Sequence, residues 1–186
     1  MNTKKQTATQ HLFTNKQLRT LLVPIMVEQL LSSLMGTADT MMVSNVGSAA
    51  ISAVSLVDAI NISVIQALSA LAAGGAILCS QYLGSQNLKK AKRSAEQVLF
   101  VMLVLSCSLS LLCLIFRFPL LRLIFGTVDT DVMANSQIYF FFTLLSFPFI
   151  GLYDAGASIL RAQNNTKGPM TISILSNFLN IGGNAI

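Results

Sequence analysis

Four carboxylates stand inside long apolar stretches of this 186-residue chain: Glu28, Asp39, Asp58 and Asp154. An acid in a bilayer interior costs about 2.5–3.5 kcal/mol on insertion scales, so each needs a partner. Glu28, Ser32, Gly36 and Asp39 fall at i, i+4, i+8 and i+11. On a helix turning 100° per residue, eleven steps return to within about 20° of the start. That places one polar stripe on an otherwise lipid-suited helix, facing protein or water. Ser173, Asn177, Asn180 and Asn184 repeat the spacing near the end of the chain. Carboxamide oxygens can share a monovalent cation or hydrogen-bond a protonated carboxyl group. The chemistry on offer is therefore the holding and exchange of a small cation or proton.

Each polar group also has a plainer use. Interhelical hydrogen bonds hold membrane helices together, and Asn177 and Asn61 read best that way. Asp39 is the acid most in favour of function, because an amide would serve as glue without the charge. Glu28 could join it or pair with a basic residue near the membrane surface. Asp154 shares a helical side with Ser158 and Arg161, and Arg161 two turns on could neutralise it. No nucleophile–His pair, metal-ligand cluster or phosphate-binding glycine loop is present, so an enzyme is not expected.

The elements that must position these groups are membrane spans. Hydrophobic residues make up 53% of the chain and charged residues 10%, against roughly 25% charged in soluble proteins. About 20 apolar residues cross a bilayer. Spans are expected near 21–43, 51–80, 98–116, 138–160 and 170–186, the last barely long enough. They predict an all-α, polytopic transmembrane bundle preceded by a polar N-terminal tail over 1–17. In the second span Ser55, Ala59, Ser63 and Ala67 recur every four residues and predict a packing face. The segment from Arg117 to Asn135, with Pro119, Gly126, Asp129 and Asp131, reads as an outer connector whose two acids are solvated.

The net charge of +5 is a topology signal rather than a nucleic-acid footprint. Ten Lys and Arg residues lie before the first span, between the second and third, or between the fourth and fifth, whereas Arg117 and Arg122 alone lie on the opposite side. By the positive-inside rule the N-terminus is expected in the cytoplasm, with the protein in the plasma membrane. Cys79, Cys107 and Cys113 lie in or beside apolar spans and read as packing residues, and His11 as a solvated residue of the tail.

Several segments then combine into an ordered set. Pro24-Ile-Met-Val-Glu28-Gln-Leu-Leu-Ser-Ser is followed by Ala38-Asp39-Thr40-Met-Met-Val-Ser-Asn-Val-Gly47, Ala50-Ile-Ser-Ala-Val-Ser55 and Gln81-Tyr-Leu-Gly84. Leu160-Arg161-Ala-Gln-Asn-Asn-Thr166-Lys-Gly-Pro169-Met and Asn177-Phe-Leu-Asn180 complete it. From about residue 18 onward the chain resembles the multidrug and toxic compound extrusion (MATE) transporters. The resemblance implies a fold of twelve helices in two lobes, of which 18–186 would be an incomplete N-terminal lobe. It implies export of cationic or amphipathic organic compounds in exchange for sodium ions or protons, with no other cofactor.

The resemblance also places a cation site at Asp39, joined by Asn180 and Asn184. Some members carry aspartate where Asn184 stands, so the coupling ion is left open between sodium and a proton. Glu28, Asp154 and Asn177 become possible cavity residues. Expected partners are the lipid bilayer, the organic substrates and a second lobe beyond this chain. Two alternatives stay open: a flippase for lipid-linked sugars on the same fold, and a truncated, non-transporting membrane protein that associates with a full-length relative.

Overall fold

A computed structural model describes residues 14–43, 47–126 and 128–184, without the side chains of residues 39, 40, 42, 43, 181, 183 and 184. Residues 1–13 of the expected tail, His11 among them, lie outside it. The described residues form six helices: α1 (Asn15–Val43), α2 (Ser48–Gly84), α3 (Leu88–Ile115), α4 (Arg117–Phe125), α5 (Thr130–Ala162) and α6 (Lys167–Asn184). By length and apolarity α1, α2, α3 and α5 can each cross a membrane. The 18 residues of α6, with Lys167 and three asparagines, make it shorter and more polar than those four.

The helices outrun the apolar stretches that mark them. α3 begins at Leu88 and α5 at Thr130, well before the expected spans at 98 and 138. Lys, Arg and Gln are good helix formers, so the basic and polar flanks continue the helix past the oily zone. At 1.5 Å per residue the 37-residue α2 is about 55 Å long, more than the roughly 40–45 Å of a whole bilayer. It must tilt or protrude. The segment from Arg117 is not a plain connector either. Its first nine residues form α4, held down by the fully buried Leu121 and by the Arg117 guanidinium over the rings of Phe118 and Phe141. Asp129 and Asp131 are exposed, as expected.

Lipid tails are as apolar as leucine, so close packing rather than hydrophobic exclusion draws membrane helices together. α2, α3 and α5 pack into one trio, with α4 against α5. Val57, Cys113, Leu121, Phe140, Leu144 and Phe147 form the larger core, and Leu68, Ala72, Met102 and Ala155 the smaller. Two glycines set the spacing. A Cβ on Gly75 of α2 would lie 2.6 Å from a Val98 methyl of α3, and one on Gly151 of α5 would lie 2.8 Å from Ser106 of α3. A buried Ser110 hydroxyl donates to the Leu144 carbonyl oxygen at 2.6 Å, tying α3 to α5.

Among the described residues the small-residue row on α2 is not the packing face. Ser55, Ala59, Ser63 and Ala67 are all exposed, and the buried row is Ala53, Val57, Asn61, Leu68, Ala72, Ala76 and Cys79. Small side chains permit close approach on any face, and the bulky cores on α3 and α5 select the other. Among the cysteines Cys79 and Cys113 are buried and Cys107 is exposed, all three free.

α1 stands apart from the trio. It packs along α6, touching α2 in only a few places, and α6 in turn touches α5 lightly. The described residues thus divide into a four-helix body, α2 to α5, and a pair, α1 with α6.

Candidate functional site

The α5–α6 turn fixes how the pair meets the body. Just past the end of α5, Asn164 takes φ 60, the left-handed conformation that asparagine tolerates. The Asn165 N–H then bonds back to the Leu160 carbonyl at 2.9 Å, and the Asn164 N–H to that of Arg161 at 3.0 Å. The Asn165 side chain accepts from the Gly168 N–H at 3.2 Å and so starts α6. These local bonds hold Arg161 in the last turn of α5 and aim the following Thr166 at α1, where its hydroxyl donates to the Thr20 carbonyl at 3.4 Å.

Arg161 reaches Glu28, not Asp154. Its Nη2 donates to Oε1 of Glu28 at 2.7 Å, and the Tyr153 hydroxyl donates to the same oxygen at 3.1 Å. Glu28 is buried, 5% exposed. Its other oxygen, Oε2, has no hydrogen-bond partner among the described residues, nor has Nε of Arg161. The expected neutralisation of Asp154 by Arg161 is therefore corrected. Asp154 instead accepts from the Ser69 hydroxyl of α2 at 2.5 Å. Two turns of helix put Asp154 about 10 Å along the axis from Arg161, whereas Glu28 approaches the helix end from the side.

Among the described residues of the expected stripe on α1, Glu28 alone is buried. Ser32 and Gly36 are exposed, while Leu31, Met35 and Ala38 are half-buried. Pro24 and Glu28 are the buried residues of this row, and the half-buried apolar ones continue it. On α6 the expected stripe is the buried face: Ser173 and Asn177 are buried and Asn180 is half-buried and engaged by a neighbour. The Asn177 amide donates to the Ser173 carbonyl of its own helix at 2.8 Å. A third polar contact lies on α2 and α5, where Asp58 accepts from the Tyr139 hydroxyl at 3.0 Å and from the Asn61 amide at 3.4 Å.

The side chains of Asp39 and Asn184 lie outside the described residues, but their backbones are helical. Thr20 near the start of α1 touches Thr166 just before α6, and the two helices pack along each other, so they run parallel from a shared end. Asp39 is 19 residues beyond Thr20 and Asn184 is 18 beyond Thr166. At 1.5 Å per residue both backbones rise about 27–29 Å from that end. Tyr153, Ser69 and Tyr139 were not singled out from the sequence. A tyrosine away from the membrane interface, where such rings usually gather, is the signal that would have flagged the first.

The MatE family profile matches residues 24–186. The chain is 31% identical over 164 residues to the "Uncharacterized transporter YisQ" of Bacillus subtilis (strain 168), covering 88% of this chain and 35% of that protein. It is 27% identical to the "FAD transporter" of Shewanella oneidensis, covering 77% of this chain and 31% of that one. It is also 27% identical to the "Probable multidrug resistance protein NorM" of Thermotoga maritima, covering 89% and 35%. The chain thus spans about a third of the length of the curated relatives it matches. Among solved structures, a MATE in complex with MaD3S superposes with a TM-score of 0.85 at 22% identity, over 91% of this chain and 38% of that one.

Proposed function

Because the chain belongs to the MatE family of multi-pass membrane transporters, we propose that residues 18–186 are the opening helices of a cation-coupled exporter of organic compounds in the plasma membrane. In this reading Asp39 holds the coupling ion, sodium or a proton, with Asn180 and Asn184, and the N-terminus is cytoplasmic. A second lobe, present in relatives about three times as long, completes the cavity. The observation that carries the reading is the parallel packing of α1 on α6, which brings the backbones of Asp39 and Asn184 to one level. An ion shifts a conformational equilibrium only by as much as it prefers one state. A carboxylate on the helix that stands apart from the four-helix body is suited to such a preference.

The NorM relative supports drugs or similar xenobiotics as cargo, and the FAD transporter supports an anionic nucleotide. Among the described residues Arg161 is bonded to Glu28, Arg117 stacks on Phe118 and Phe141, and Lys90 and Lys92 lie in the exposed first turns of α3. The four carboxylates of the apolar stretches, Glu28, Asp39, Asp58 and Asp154, favour organic cations over nucleotides or lipid-linked sugars as cargo. Cells expressing the full native gene product that contains these residues should extrude a fluorescent organic cation. The Asp39→Asn form should insert normally but not extrude. Undiminished extrusion by that variant would overturn the assignment.

A further inference from the structure

A groove of about 190 Å³ runs between α2 and α3 on the surface of the four-helix body. Leu71, Gly75 and Leu78 line it from α2, and Val98, Val101 and Leu105 from α3. Gly75 sets its floor: Val98 settles against the α2 backbone there, where an added Cβ would lie 2.6 Å from its methyl. Leu71, Leu78, Val101 and Leu105 stand exposed as its walls. From Ser94, at its polar end, to Leu105 is eleven residues, about 16 Å of helix. One leaflet of a roughly 30 Å hydrocarbon core is about as deep.

Both rows of side chains end in polar groups. Tyr82 follows Leu78 by four residues on α2, and Lys90 precedes Ser94 by four on α3, so both continue the groove by one turn. They meet there, with the Lys90 ammonium 5.9 Å from the centre of the Tyr82 ring. Arg93 stands one turn before Gln97, another lining residue, and Lys90 and Arg93 are both exposed. A tyrosine beside cations is the usual furniture of the headgroup level.

The electrostatics of this end call for an anion. Lys89, Lys90, Lys92 and Arg93 fall in the first two turns of α3, and its first turn has no acid. That is the positive end of the helix dipole, where cations are disfavoured and anions favoured. α5, which starts at the opposite end, carries Asp131 in its first turn. Glu96 pairs with Lys92 at 3.8 Å. Each of those two is two residues from Ser94, which puts the pair on the far side of α3 from the groove.

We propose that the α2–α3 groove holds an acyl chain of an anionic phospholipid, whose phosphate sits against Lys90 and Arg93 in the leaflet at the Lys- and Arg-rich end. Charge selects the headgroup, and the depth and apolarity of the groove suit the chain. A free phosphate would leave the groove empty, and a neutral lipid would leave the cations without an anion. The site involves neither Asp39 nor the α1–α6 pair, so it stands or falls apart from the export reading.

The test is photocrosslinking of the full native gene product in nanodiscs holding equal amounts of phosphatidylglycerol and phosphatidylcholine. Benzoylphenylalanine replaces Val101 in the groove or, as the reference for bulk lipid, Phe100, which is exposed on α3 outside it. Mass spectrometry reads the adducts. Each cation near an anionic headgroup is worth roughly fivefold in affinity. The adduct at 101 should therefore favour phosphatidylglycerol severalfold over that at 100. Lys90→Gln/Arg93→Gln should bring position 101 to the bulk ratio, while Lys92→Gln should leave it enriched. Equal ratios at 101 and 100 in the parent protein would overturn the proposal, as would adducts at 101 to protein instead of lipid. An equal loss from Lys92→Gln would overturn it too, by showing diffuse surface charge in place of a site. Should the double variant fail to insert, Lys90→Gln alone is read: reduced enrichment supports the site and unchanged enrichment refutes it.

Discussion

Arg161 in the last turn of α5 holds Glu28 of α1 at 2.7 Å, and this ion pair joins the α1–α6 pair to the four-helix body. Breaking a buried pair by removing one partner leaves the other charge uncompensated, at about 3–5 kcal/mol, whereas replacing both with apolar groups of similar volume is often neutral. Arg161→Ala is therefore expected to lower the thermal stability of the purified protein far more than the double change Glu28→Leu/Arg161→Met. Equal losses in denaturation curves would mean that the charge pair is not what joins the two parts.

Gly151 faces Ser106 so closely that an added Cβ would sit 2.8 Å from both the Cβ and the hydroxyl of the serine. A serine Cβ is fixed to the backbone, so helices α3 and α5 would have to part. Gly151→Ala should destabilise the protein by about 1–3 kcal/mol, the usual cost of overpacking. Gly156→Ala on the same helix meets nothing within 4 Å and should be close to neutral. Thermal unfolding of the two variants side by side checks the contrast.

Much of this arrangement was legible in residue order. Uninterrupted apolar runs gave the helices that cross, and the four-residue spacing from Ser173 gave the buried face of α6, because polar residues on an oily helix have few places to go. The exposure of Ser55, Ala59, Ser63 and Ala67 was not legible. α2 is apolar on nearly every side, so no contrast between faces remains, and the choice falls to bulky neighbours such as Phe140 and Phe147 on α5. α4 was hidden for a related reason: Pro119 and the charges flanking it suggested a loop, while Leu121 finds its pocket only once α5 is in place. The partner of Arg161 was hidden too, since sequence shows Asp154 seven residues away and gives no sign that Glu28 arrives from another helix.

Thiol chemistry can read exposure on the long apolar helices. Cys107 is exposed on α3 between Phe100 and Leu111, while Cys79 and Cys113 are buried. A hydrophobic maleimide is expected to modify Cys107 in intact membranes, a charged, impermeant one to leave it alone, and the other two thiols to react only after unfolding. Mass spectrometry of the labelled protein decides it. Equal labelling of Cys113 and Cys107 by the hydrophobic reagent would contradict the packing of α3 against α5.

In the proposed function Asp39 holds an exchangeable cation whose binding is linked to that of the cargo. Linkage is reciprocal, so cargo must change the affinity for the ion as much as the ion changes the affinity for cargo. The most direct measurement is ion release from the full native gene product, purified and followed with radioactive sodium in one cell and a pH indicator in another, as an organic cation is added. Release of sodium or protons is expected from the parent protein and none from the Asp39→Asn variant. Release of the same ion in the same amount by that variant would contradict it.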